Sequence, residues 1–144
     1  MNATKAASLA KLAHQGQKYG TRPYFDHVAD VARRVSMDPR MNLDHIVVAW
    51  LHDVLEDTDV VLAELEMSGL TSAQGDALAS ITKVAHEPYA SYLDRLVRNP
   101  IACLVKFHDI ESNLAASPPT HLVAKYSTAR GVVLQALKEH YRNG

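Results

Sequence analysis

The stretch IVVAWLHDVLED, residues 46–57, joins an apolar run to a histidine and three carboxylates packed into six residues. On a helix, Glu56 lies four residues after His52 and Asp57 lies four after Asp53, so the polar groups share one broad face. Like charges at this spacing repel, and burying them without a compensating cation costs free energy or forces protonation. The stretch therefore predicts a metal ion or a strongly basic partner, and a raised carboxylate pKa where that metal is absent.

Length, composition and charge indicate one globular domain over residues 1–144. A hydrophobic content of 47% is enough for one substantial core. The 15 basic and 16 acidic residues give a formal charge of -1 with no charge block at either end, which argues against a nucleic-acid or membrane-surface binder. The N-terminal segment lacks a continuous apolar core, so we expect neither a signal peptide nor a membrane anchor. The single cysteine, Cys103, excludes an internal disulfide and indicates a cytoplasmic location.

Apolar residues recur at helical spacing along almost the whole chain, as Val28, Val31, Ala32 and Val35 illustrate, and strand alternation is nowhere sustained. The pattern predicts an all-α bundle of about seven to eight helices. We place them near residues 3–17, 25–36, 43–56, 59–67, 71–83, 89–97, 100–115 and 119–141.

Three of these helices carry side chains of the type that bind divalent metal ions. His27 lies on the second helix, His52 and Asp53 on the third, and Asp109 on the seventh. Imidazole and carboxylate together suit Mn, Fe, Zn or Ni, and a set rich in oxygen favours a harder ion. His108 points about 100° away from Asp109 and is not counted as a ligand. A His-Asp dipeptide alone fits surface residues of a helix equally well, so the surrounding sequence decides.

The remaining histidines are expected to have other roles. His14 is predicted to be a hydrogen-bonded structural group on the inner face of the first helix. Polar neighbours surround His45, His86 and His140, so these three are predicted to lie on the surface.

Five segments, in order along the chain, carry a family resemblance: AHQGQ (13–17), PYFDH (23–27), AWLHDVLEDT (49–58), ITK (81–83) and VKFHDIESNL (105–114). On these segments the chain resembles the HD-domain metal-dependent phosphohydrolases. Within that superfamily it is most similar to the hydrolase domain of the RelA/SpoT family and to the small alarmone hydrolases. The resemblance covers about residues 5–130 and implies a single HD-domain helical bundle.

The resemblance also implies a chemistry. One divalent ion, usually manganese in this family, would be held by His27, His52, Asp53 and Asp109. Glu56 and Asp57 match the pair that positions and activates the attacking water, and the alternative for them is a solvated helix end. A bound ion polarises a phosphoryl oxygen and lowers the pKa of its water, while a nearby carboxylate accepts a proton. The implied reaction is hydrolysis of the 3'-pyrophosphate of ppGpp or pppGpp, which releases pyrophosphate and leaves GDP or GTP.

Contacts to the substrate follow from the same resemblance. Asn113 resembles a residue that contacts the sugar, Lys106 is expected to be a charge partner within the site, and Tyr126 aligns with a tyrosine that contacts the far phosphates. Helix packing is the alternative for Tyr126. Lys18 and Arg22 are expected at the mouth of the cleft.

Two departures from the family concern the substrate. Lys18-Tyr19 stands where the family usually has an Arg-Lys pair, and Leu122 stands where it often has an arginine. Each lost guanidinium removes a bidentate phosphate donor. The 5'-phosphates are therefore held less well than in the family, unless Arg22, Lys125 or Arg130 substitutes.

Three functions remain open on the sequence. The first is a manganese-dependent alarmone pyrophosphohydrolase of the stringent response, and the second is an HD phosphohydrolase or nucleotidase acting on another nucleotide. The third is a metal-binding module that recognises a nucleotide without turnover, which retention of Glu56 and Asp57 makes the least favoured. In all three the partner is a small-molecule nucleotide, and the sequence leaves a homo-oligomer open.

Overall fold

The computed structural model describes residues 1–142 and confirms the all-α prediction. Within this range, nine helices and one short hairpin follow one another as α1 (Ala3–Ala13), β1 (Lys18–Tyr19), β2 (Arg22–Pro23), α2 (Tyr24–Ser36), α3 (Leu43–Leu51), α4 (Val54–Asp57), α5 (Leu62–Met67), α6 (Ser72–Ile81), α7 (Tyr89–Leu96), α8 (Pro100–Ala115) and α9 (Thr120–His140). In the described part of the chain, every helix is too short or too polar to traverse a bilayer.

Side chains at the N-caps set where several helices begin. Asn2 accepts the backbone N–H of Lys5 at the start of α1, and Asn42 accepts two backbone N–H groups at the start of α3. Thr71 and Asn99 each accept one backbone N–H group at the start of α6 and α8. These oxygens satisfy donors that the first helical turn leaves without partners, which fixes the starting points of the four helices.

Helix α8 lies at the centre of the fold and contacts α2, α3, α6 and α9. Its residues Cys103, Leu104 and Val105 are fully buried. Burying a leucine side chain in this way stabilises a fold by about 1.5–3 kcal/mol. The central position of α8 matters for function because the same helix carries Asp109 toward α2 and α3.

Two predicted helix boundaries are wrong. α1 ends at Ala13 rather than at residue 17, and the hairpin of β1 and β2 follows, with Lys18 paired to Pro23 and Tyr19 to Arg22. Gly20 has a φ of 63°, which permits the tight turn between these strands. The predicted helix 43–56 is divided into α3 and α4 by a turn at His52 and Asp53.

His45 is buried, so its predicted surface position is wrong. Its Nδ1 lies 3.0 Å from the backbone nitrogen of Asn42, and its Nε2 lies 2.8 Å from the Tyr141 hydroxyl. The polar neighbours of His45 in sequence gave no indication of a partner so distant along the chain. His86 and His140 are exposed, as predicted.

Candidate active site

Four side chains converge where α2, the turn between α3 and α4, and α8 meet. They are His27, His52, Asp53 and Asp109, and one ligand atom from each lies within 4.8 Å of the others. His52 Nε2 is 3.0 Å from Asp53 Oδ2 and 3.3 Å from Asp109 Oδ1, and His27 Nε2 is 3.0 Å from Asp109 Oδ1. The structure thus brings together all four residues that the sequence analysis named as metal ligands.

The turn at the end of α3 explains how two adjacent residues face one point. Side chains of neighbouring helical residues diverge by about 100°. Asp53 instead has a φ of -106° and a ψ of -2°, the sparsely populated conformation in which many active-site residues are found. The interruption of the helix therefore belongs to the site, because it turns Asp53 toward the same centre as His52.

The hydrogen bonds of His52 show that the cluster suits a cation. Its Nδ1 lies 2.7 Å from the carbonyl oxygen of Ala49, which only an N–H can satisfy. Its Nε2 is buried and makes no hydrogen bond, because the two nearby carboxylate oxygens are not aligned for one. A buried ring nitrogen that faces two carboxylates without a hydrogen bond is unfavourable unless a positive charge, carried by a proton or a metal ion, lies between them. This donor set can hold a divalent metal ion.

Positive side chains control the ionisation of the cluster. Burial alone would raise the pKa of Asp109, but Lys106, with Nζ 3.0 Å from Oδ2, and the two histidines lower it well below its ordinary value. The pKa of Asp53 is also lowered, since His52 outweighs burial. Burial lowers the pKa of His52, yet Asp53 and Asp109 raise it well above its usual value. The predicted rise in carboxylate pKa is wrong for Asp53 and Asp109, because Lys106 and His52 supply compensating charge.

Glu56 and Asp57 lie on α4, beside the cluster. Glu56 Oε1 accepts the backbone N–H of Lys83 at 2.8 Å, and Asp57 Oδ2 lies 3.3 Å from the Tyr24 hydroxyl. Burial in the wall of the site raises the pKa of both carboxyl groups, and the charge of Asp53 raises it further. For this pair the predicted rise is confirmed, with burial rather than repulsion as its main cause.

Tyr24 is part of the site, although the sequence analysis gave it no role. Its hydroxyl donates to Asp53 Oδ2 at 2.6 Å, and its ring packs edge-on against His27 with centroids 5.6 Å apart. Burial and the charge of Asp53 raise the pKa of Tyr24, so the hydroxyl stays a donor. Tyr24 precedes His27 by three residues and shares its helical face, which is the signal that could have revealed it.

His14 and Gln17 tie the end of α1 to the site. His14 is buried, and its Nδ1 lies 2.9 Å from Gln17 Oε1. The Gln17 amide then donates to the backbone oxygen of Asp57 at 2.9 Å. His14 is therefore the hydrogen-bonded structural group that the sequence predicts.

A cavity of about 720 Å³ opens over the cluster, a volume typical of small-molecule sites. Its polar wall combines carboxylates, tyrosines and lysines: Asp53, Glu56, Asp57, Asp109, Tyr19, Tyr24, Tyr89, Tyr92, Tyr126, Lys18, Lys83, Lys106 and Lys125. Lys106 is paired with Asp109. Lys18, Lys83 and Lys125 form no salt bridge with any residue of the described range 1–142. The cavity can therefore receive an anionic molecule.

Four of the five predicted substrate-contact residues line this cavity: Lys18, Lys106, Asn113 and Tyr126. Asn113 is anchored at both ends of its amide. Its Oδ1 accepts the Tyr19 hydroxyl at 2.6 Å, and its Nδ2 donates to Asp109 Oδ1 at 3.4 Å. The amide thus lies directly beside the cluster.

Arg22 is not at the mouth of the cavity, and that prediction is wrong. Its guanidinium is exposed and pairs with Asp26 at 3.1 Å, one helical turn along. Arg130 pairs with Glu111 and lies over the Phe107 ring, also outside the cavity lining. Of the three residues that could replace the missing family arginine, only Lys125 reaches the cavity.

His108 lies outside the cluster, whereas Lys83 lies in the cavity wall. His108 Nε2 lies 2.8 Å from Asp38 Oδ2 and has no place in the cluster, as expected. Lys83 holds Glu56 through its backbone and lines the cavity, a role that was not predicted. It follows Thr82 at the end of the short ITK segment, and nothing in that segment indicates contact with α4.

No protein-family profile matches this chain. Among solved structures, a metazoan ortholog of SpoT that hydrolyses ppGpp and plays a role in starvation responses superposes with a TM-score of 0.76. The match covers 94% of this chain and 85% of the other, at 20% sequence identity. This chain has the fold of that SpoT ortholog. The all-α helical bundle expected from the five sequence segments is thereby confirmed at the level of the fold.

Proposed function

We propose that the protein is a manganese-dependent nucleotide phosphohydrolase that removes the 3'-pyrophosphate of ppGpp or pppGpp. The observation that carries the proposal is the cluster of His27, His52, Asp53 and Asp109 with the Glu56–Asp57 pair beside it in one cavity. A fold shared with a ppGpp hydrolase supports the assignment.

The four clustered residues would hold the metal ion. The two imidazoles and two carboxylates suit a divalent ion, and the carboxylate oxygens favour a hard one such as Mn²⁺. When bound, such an ion polarises a phosphoryl oxygen and lowers the pKa of a water molecule. Lys106 balances the negative charge of Asp109 from the side opposite the histidines, through Oδ2.

Glu56 and Asp57 divide the handling of the attacking water. The Lys83 N–H holds one oxygen of Glu56, which leaves the other oxygen to accept a proton. Burial raises the pKa of Glu56 toward neutral pH, which is the direction that makes a carboxylate a better general base. Asp57 lies 3.3 Å from the Tyr24 hydroxyl, whose proton is donated to Asp53, and is the group that would orient the water.

The cationic side of the cavity would bind the remaining phosphates. Lys125 is exposed, and its ammonium lies 4.2 Å from the centre of the Tyr89 ring, so the ring limits where the charge can move. Lys18 and Lys83 add two more ammonium groups to the same wall. We infer that Lys125 takes the place of the arginine that the family often carries at the position of Leu122.

The same wall favours a second candidate, a phosphohydrolase for another nucleotide. No arginine of the described residues lines the cavity. Lysine is a point charge without the planar fork that grips phosphate through two hydrogen bonds. A substrate with fewer phosphates than ppGpp would need fewer such contacts.

Product analysis tests both candidates. Purified, metal-free protein is incubated with Mn²⁺ and a panel of ppGpp, ppApp, deoxynucleoside monophosphates and NADPH, and products are identified by chromatography. We expect ppGpp to give GDP and pyrophosphate faster than any other compound reacts. Turnover of ppGpp no faster than the rest would sink the alarmone proposal, and release of orthophosphate or a nucleoside would favour the second candidate. Metal binding with no turnover of any compound would indicate a binding module.

A further inference from the structure

Two residues to which the sequence assigned no role lie on the far side of His27, one in contact with its ring and the other hydrogen-bonded to the first. They are Asp30, one turn after His27 on α2, and Ser112, one turn after Asp109 on α8. We propose that Ser112 and Asp30 form a hydrogen-bonded pair that fixes the tautomer and orientation of His27 for metal binding. The inference rests on the proposed metal site, and it adds two positioning residues to it.

The direction of each hydrogen bond follows from chemistry. Ser112 Oγ lies 2.7 Å from Asp30 Oδ2, and a carboxylate can only accept, so the serine hydroxyl donates. Ser112 Oγ also lies 3.3 Å from His27 Nδ1. When a metal ion takes the Nε2 lone pair, Nδ1 carries the ring proton, and the serine oxygen, with its own hydrogen committed to Asp30, accepts that proton.

This arrangement meets a requirement of the metal site. An imidazole that binds a metal ion through Nε2 carries its proton on Nδ1, and that buried proton needs an acceptor. His27 and Ser112 are both only 5% exposed, and the Ser112 oxygen is the acceptor that the described residues place beside Nδ1. Ser112 supplies the acceptor and leaves Nε2 directed at Asp109.

Asp30 is itself held in place. Arg34 donates to Oδ2 at 2.8 Å, and Arg33 donates to Oδ1 at 2.9 Å. Two guanidinium groups keep the carboxylate charged and unable to turn away from Ser112. A series of hydrogen bonds therefore connects the two arginines on α2, through Asp30 and Ser112, to the imidazole ring of His27.

The other histidine of the cluster, His52, also has a hydrogen-bond acceptor for its Nδ1 proton, but that acceptor is a backbone carbonyl. His52 donates its Nδ1 proton to the carbonyl of Ala49 on its own helix. His27 Nδ1 instead faces the side chain of Ser112 on the neighbouring helix α8. The serine and aspartate do for His27 what the backbone does for His52.

Manganese affinity tests the inference. Isothermal titration of Mn²⁺ into chelator-treated Ser112→Ala protein should give a dissociation constant about 10–100 times that of wild type, the usual cost of losing such a partner. At saturating Mn²⁺ the kcat should return close to the wild-type value. Ser112→Thr keeps the hydroxyl and should bind Mn²⁺ nearly as wild type does.

Two further variants separate positioning from packing. Asp30→Ala removes the acceptor of the Ser112 hydroxyl, so Ser112 is free to donate to His27; Mn²⁺ binding should weaken as in Ser112→Ala. Ser80→Ala removes a helical serine hydroxyl that donates to a backbone oxygen outside the cavity, and it should leave Mn²⁺ binding unchanged.

Unchanged Mn²⁺ affinity in both Ser112→Ala and Asp30→Ala would overturn the inference. So would a lower unfolding temperature of the metal-free variants with wild-type Mn²⁺ affinity, because that pattern marks a purely structural role. Failure of the proposed function looks different: wild-type protein binds Mn²⁺ and leaves ppGpp intact. Wild-type protein that binds no Mn²⁺ overturns both.

Discussion

Replacing Glu56 with glutamine isolates the proton-accepting step from metal binding. The amide oxygen of glutamine can still accept the Lys83 N–H, now 2.8 Å from Glu56 Oε1, so α4 should keep its position. What is lost is the basic oxygen. General base catalysis contributes about 10²–10⁴-fold in rate, or about 2.7–5.4 kcal/mol of transition-state stabilisation. We expect kcat for ppGpp to fall by this factor and the Mn²⁺ dissociation constant to stay close to wild type, because Glu56 is not one of the clustered ligands.

The pH profile provides a second readout for the same variant. Glu56 must be deprotonated to accept a proton, and burial raises its pKa above the ordinary glutamate value. In wild type, kcat/KM should therefore rise with pH through that raised pKa. The Glu56→Gln protein should lack this limb, which steady-state kinetics across mildly acidic pH would show.

Glu64→Gln is the matched control. Glu64 Oε1 also accepts a backbone N–H, that of Val61 at 3.2 Å, but Glu64 does not line the cavity. Its kcat should equal that of wild type. Near wild-type turnover by Glu56→Gln, or a profile that keeps the acidic limb, would refute the assigned role of Glu56.

Three further substitutions test other parts of the account. Tyr24→Phe removes the hydroxyl 2.6 Å from Asp53 Oδ2 and should weaken Mn²⁺ binding about tenfold in a titration, whereas an equal loss in Tyr89→Phe would contradict a specific role. Lys125→Ala should raise KM for ppGpp about tenfold through one lost charge-assisted contact, and a fall in kcat alone would argue against phosphate binding. Leu104→Ala should cost about 2–5 kcal/mol in urea unfolding, and a negligible loss would contradict the central place of α8.

Helical periodicity located most of the bundle, because each helix buries one apolar face and the sequence records that face. Boundaries set by tertiary contacts were not accessible in this way. The break between α3 and α4 has no glycine or proline to announce it, and it is the turn that aims Asp53 at the cluster. The buried position of His45 depends likewise on the Tyr141 hydroxyl, far along the chain.

The five ordered sequence segments, rather than residue spacing alone, predicted that His27, His52, Asp53 and Asp109 share one site. Residues that act through a ligand were harder to find. Asp30 and Ser112 meet because α2 packs against α8. Ser112 lies within the segment 105–114, but nothing in that segment indicates a contact with Asp30. Arg22 shows the opposite error: a basic residue in a polar loop was placed at the cleft, but its side chain pairs with Asp26 on the surface and does not line the cavity.

The central claim is that His27, His52, Asp53 and Asp109 form the metal centre of a phosphohydrolase. A crystal structure of the Mn²⁺-loaded protein, with anomalous data that reveal manganese, tests it most directly. We predict one anomalous peak per chain, within coordination distance of the two imidazole Nε2 atoms and of both aspartates, and no such peak in Asp53→Ala crystals. A peak elsewhere, or none in the wild-type protein, would contradict the claim.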